Sequence, residues 1–132
     1  MGPQARERIE LLRFLEKSYL KLSSSLRFGL KMEIDDPEFA LCRKLGNLSL
    51  DFDRMVEESY YCTNDDVIFQ LYGDDFANRE MMMLNLYSNQ VKQYLDNAGE
   101  KRISGFNYDE YIGTLTEEQP VSQKEVEQFS NT

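Results

Sequence analysis

Between Ile9 and Leu30 the chain places an apolar residue at every third or fourth position: Ile9, Leu12, Leu15, Tyr19, Leu22, Leu26 and Leu30. A helix turns about 100° per residue, so this spacing gathers all of them on one face, whereas a strand would scatter them to both sides. The pattern predicts a helix from about Pro3 to Met32. Pro3 suits its first turn, where the missing amide hydrogen would be unpaired anyway. Leu11, Phe14, Leu20 and Phe28 widen the stripe, so this helix is expected to touch two neighbours.

The same spacing returns twice. Asp35, Asp36 and Pro37 break the first helix, with Asp36 expected to accept hydrogen bonds from the next helix's free amides and Pro37 to occupy its first position. Leu41, Leu45, Leu48, Phe52, Met55 and Val56 then mark a second helix to about Tyr61, which Gly46 weakens unless it lets another backbone approach closely. Thr63 and Asp66 open a short helix through Val67–Tyr72, ended by Gly73. A third long helix, capped by Asp74 or Asp75, carries Phe76, Met81, Leu84, Tyr87, Val91 and Tyr94 or Leu95 inward and stops at Gly99. Beyond it, Gly105, Gly113 and Pro120 interrupt the periodicity, and Ser122 with Glu125 has the spacing to start a weak last helix.

These elements define an all-α fold: a bundle of three long helices, a short inserted helix and a loosely packed C-terminal extension. With 132 residues, the chain is long enough for one core that buries roughly two thirds of its unfolded surface. Residues 1–99 are expected to form the bundle and 100–132 an extension of the same domain. No apolar run approaches the roughly 18 residues of a membrane span, and Arg6, Glu7, Arg8, Glu10 and Arg13 interrupt any signal-peptide core. Cys42 and Cys62, read in one helix, would lie about 30 Å apart, far beyond disulfide reach, and so are expected as reduced thiols. The expected setting is cytoplasmic.

Charge narrows the function further. Residues 1–31 hold seven Lys/Arg against three Asp/Glu, while the remainder holds eight against twenty-one, so a basic helix leads an otherwise acidic chain of net charge −9. Arg6, Arg8, Arg13, Lys17, Lys21, Arg27 and Lys31 could trace a phosphate backbone, but the acidic remainder would repel it within a Debye length of about 8 to 10 Å. Direct nucleic-acid binding is therefore disfavoured, and the basic side chains are expected to reach toward acidic neighbours. The chain has no histidine, which removes Ser-His and Cys-His nucleophile pairs. It also lacks an EF-hand pattern and a phosphate-binding glycine loop. No cofactor and no enzymatic activity are expected.

Acidic pairs just ahead of helices read as caps. Asp51, Asp53, Glu57 and Glu58 lie inside the second helix, where capping cannot account for them, and form a candidate docking face for a basic protein. Met81, Met82 and Met83 sweep roughly 200° of the third helix, too wide an arc for one core face. They leave either a helix buried on two sides or a methionine exposed at an adaptable surface. Ile68, Phe69 and Tyr72 would complete the rim of such a groove. The expected function is a small acidic interaction protein, an adaptor, chaperone or inhibitor, that meets a basic partner through the acidic face and the Met-rich groove. Two alternatives are a nucleic-acid-mimicking inhibitor and a metal-dependent hydrolase built on clustered carboxylates. A homodimer would cover the remaining apolar surface.

Overall fold

The computed structural model describes residues 3–61 and 75–117. Among these residues four helices follow in order: α1 Pro3–Gly29, α2 Pro37–Tyr61, α3 Phe76–Asp96 and α4 Tyr108–Glu117, with a 3₁₀ turn at Gly99–Lys101 between the last two. The fold is an all-α bundle of three long helices, as the periodicity predicts. The expected short helix at 63–73, the weak one at 123–129 and Cys62 lie outside the described residues.

α1 is the centre of the bundle. Every residue of its 3–4 stripe, from Ile9 to Leu30, is buried, and so are Leu11 and Phe14. It packs most extensively against α2 and also against α3 and α4, whereas no comparable backbone contact joins α2 to α3 among the described residues. Two of the residues expected to widen its face do not. Leu20 and Phe28 are more than half exposed, because α2 and α3 flank α1 from one side and leave its back to solvent. Phe28 instead meets the Tyr111 ring of α4 edge-on, at 6.5 Å between centroids.

Small residues set the α1–α2 distance. The Ser23 hydroxyl donates to the Cys42 carbonyl at 2.8 Å, the Cys42 thiol points back to the Ser23 carbonyl at 3.3 Å, and the Ser49 hydroxyl donates to the Glu16 carbonyl at 2.8 Å. Such bonds need helix backbones close together, and each satisfies a polar group that burial would otherwise penalise. Cys42 is a buried free thiol.

The helix ends depart from the expected caps. α2 begins at Pro37, but the Asp36 carboxylate turns back to accept the Glu33 amide at 2.9 Å and sits 3.4 Å from the Lys101 ammonium. Asp75 precedes α3 without a side-chain cap. Asn107 does cap α4, its side-chain oxygen accepting the Glu110 amide at 3.1 Å.

The segment after α3 folds back on the end of α1. Lys31 donates its amide to the Lys101 carbonyl at 2.7 Å, Ile103 donates to Gly29 at 2.8 Å, and Leu30 pairs with Arg102 in an isolated antiparallel bridge. Gly29 permits this closure: a Cβ there would stand 2.6 Å from Leu95 Cδ2 and 3.0 Å from Phe106 Cδ1. Tyr108, buried, brings its hydroxyl within 3.3 Å of the Ser88 carbonyl and so ties α4 to α3 as well as α1.

Candidate functional site

Among the described residues α2 and α3 pack chiefly on α1 and only sparsely on each other, and a cleft lies between them. Tyr19 of α1 lies buried beneath it, between the two helices. Its buried ring stacks on Phe52 of α2 at 5.5 Å and meets Tyr87 of α3 edge-on at 5.8 Å. Burial first, then the nearby Glu80 and Tyr87, raises the Tyr19 hydroxyl above the ordinary tyrosine value and keeps it neutral. Lys44 spans the cleft from the α2 side, its ammonium 5.4 Å from the centroid of Tyr87. This cation–π contact helps hold the two helices at their separation.

One part of the cleft is apolar. Met55, Phe76, Arg79, Glu80, Met82, Met83 and Leu86 line a groove of about 580 Å³. Met82 is 58% exposed and Leu86 60%, and Met83 is exposed as well, while Met81 packs against the core. The three consecutive methionines thus divide, one inward and two outward, as their angular sweep requires. Leu86 completes the groove without having been singled out from the sequence; its signal is its place one turn beyond Met82 and Met83, on the side away from Leu84. Ile68, Phe69 and Tyr72, the expected rim, lie outside the described residues.

Glu80 sits half-buried in the groove wall. Burial pushes its carboxyl above the usual glutamate value, and the neighbouring Arg79 pulls in the opposite direction. A carboxylate in this position is stabilised by any cation that approaches from the open side.

The four candidate docking carboxylates on α2 separate into two roles. Asp53 turns toward α1 and receives the Arg13 guanidinium at 3.1 Å, while the same nitrogen lies 3.1 Å from Glu16. Burial works against the Arg13 charge, but Glu16 and Asp53 more than offset it and hold the guanidinium above its usual pKa. Burial and the nearby Asp53 raise the Glu16 carboxyl despite Arg13. Asp53 therefore serves the α1–α2 contact, where the basic helix meets an acidic neighbour. Asp51 lies 3.9 Å from Arg54 on the exposed surface, and Glu57 and Glu58 are exposed on the last turns of α2. A second, smaller concavity of about 410 Å³ runs along α2 between Ala40 and Asp51, with Arg43 and Lys44 among its lining residues.

Among the described residues no group of three carboxylates or thiols converges as a metal site, and no helix is long and apolar enough to cross a membrane. In comparisons with known proteins the chain matches no family model, no curated protein and no solved structure.

Proposed function

We propose that the protein is a cytosolic interaction module that docks a basic protein partner, the apolar side of a partner helix lying in the α2–α3 groove and its cationic residues meeting the carboxylates around it. The groove carries this reading. Methionine is flexible and polarisable, and exposed methionines over an aromatic base suit a surface that must accept side chains of varied shape. Glu80 inside the groove, with the exposed Asp51 and Glu58 on the Met55 side of α2, supplies negative charge next to the apolar strip, while Glu57 lies on the outward face of that helix. Complementary charge of this kind raises the encounter rate and sets orientation more than it deepens affinity.

The two alternatives find less support. Mimicry of a nucleic acid needs exposed carboxylates in regular rows, and the Arg13 and Arg54 contacts interrupt the row on α2. Hydrolysis by clustered carboxylates lacks a converging set among the described residues.

Affinity capture from the native cell tests the proposal with three baits: the wild type, a Met82→Asp/Met83→Asp variant, and a variant with Asp51 and Glu58 changed to Lys. Circular dichroism first establishes that all three fold, as substitutions at exposed positions should. The expected outcome is one set of basic proteins retained by the wild type and lost by both variants. Undiminished capture by the methionine variant would rule the groove out.

A further inference from the structure

The outward face of α2 is self-complementary. Arg43, Leu50 and Glu57 recur at intervals of seven residues, which returns each to nearly the same side of a helix. All three are exposed, and Leu50 is 63% accessible despite its position in the middle of a well-packed helix. Eleven residues also bring a helix back to nearly the same side, and at that distance from Leu50 stand two aromatic residues. Half-buried Phe39 lies before it and Tyr61, 90% exposed, lies after it.

The order along this face is therefore aromatic, cation, leucine, anion, aromatic, and it is symmetric in position but opposite in charge about Leu50. We infer that a second copy of this chain docks on this face, its α2 running antiparallel to the first about a two-fold axis at Leu50. In that register Leu50 meets its own counterpart. Arg43 falls opposite Glu57 of the second copy, about 10 Å along the axis from the centre, and Phe39 falls opposite Tyr61. Arg54 falls opposite Gly46 and Asn47, about 5 Å along the axis from both Arg43 of the second copy and its own Glu57, so no like charges stand directly opposite each other in this register.

A two-fold interface repeats each contact, so a single Arg43–Glu57 complementarity becomes two ion pairs flanking an apolar centre. An unrelated basic partner would gain nothing from a cation on its own docking surface. A second copy requires one there, and Arg43 supplies it. This interface goes beyond the groove reading, since the groove lies on the α3 side of α2 and stays open in the dimer.

Sedimentation equilibrium on the full chain across a concentration series tests the inference, with circular dichroism as the folding control. The wild type is expected to dimerise. Arg43→Glu and Glu57→Arg should each weaken self-association by about tenfold or more, because each turns two attractions into two repulsions. The double exchange Arg43→Glu/Glu57→Arg should restore it to within about threefold of the wild type. Met83→Asp should leave it unchanged while abolishing partner capture. A wild type that stays monomeric at its highest soluble concentration overturns the inference. So does a dimer indifferent to both reversals, a double exchange as weak as the single ones, or a dimer dissociated by Met83→Asp, which would put the second copy in the groove.

Discussion

Two glycines on facing helices show how one residue type can have opposite consequences. A Cβ at Gly29 would press on the Leu95 and Phe106 side chains, so Gly29→Ala makes both shift where the post-α3 segment closes on α1 and should destabilise by about 1–3 kcal/mol in urea denaturation. Gly46 meets only the Ser23 hydroxyl, at an ordinary 3.5 Å. Gly46→Ala should therefore stabilise by up to about 1 kcal/mol through helix propensity, and an equal loss in the same titration would show that α1 and α2 need the glycine. Gly46 is legible as a weak point in a helical pattern. The role of Gly29 is not, because it depends on Phe106, more than seventy residues away. Asn107 shows the reverse case, since its capping partner Glu110 stands three residues on and the spacing is plain in the sequence. The pair is easily passed over because Gly105 breaks the surrounding periodicity.

Among the elements, the apolar stripes of α1, α2 and α3 are legible because a 3–4 spacing is local information that burial then obeys. The width of a stripe is different. Leu20 and Phe28 extend the α1 face in a helical projection yet lie in solvent, since only the positions of α2 and α3 decide how far round α1 is covered. Asp53 likewise cannot be told from Asp51, Glu57 or Glu58 by charge and spacing; its partner Arg13 lies forty residues upstream. A double-mutant cycle with Arg13→Gln and Asp53→Asn should give a coupling of about 0.2–1 kcal/mol that shrinks in 1 M salt, as expected for a half-exposed ion pair. Ser49→Ala should cost about 0.5–1.5 kcal/mol in the same unfolding assay, by removing the bond to the Glu16 carbonyl that sets the α1–α2 distance.

For the whole molecule, net charge −9 and a few perturbed carboxyls determine the response to pH. Burial leads the causes that raise Glu16 and Glu80 above 4.5, so the folded state binds more protons than the unfolded one just above that value. These two groups make stability fall as pH rises through that window. Asp36 has the opposite sign. The Glu33 amide, aided by Lys101, holds it below 3.8, so its contribution is present above that value and is lost as pH drops through the folded pKa. Thermal unfolding followed from pH 7 to 3 should accordingly show a gain on approaching 4.5, strengthened as the self-repulsion of the acidic chain fades, and a loss below 3.8. A Glu16→Gln/Glu80→Gln variant should flatten the upper limb and leave the lower one.

The sparse contact between α2 and α3 among the described residues also governs how the molecule comes apart. With α1 as a common spine, α3 is held by its seam with α1, by the Tyr19, Lys44 and Tyr87 crossing and by the Tyr108–Ser88 tie to α4, a slighter attachment than the one that joins α1 to α2. Amide hydrogens of α3 should then exchange through a cheaper opening than those of α1 and α2, and they should slow when the groove is occupied.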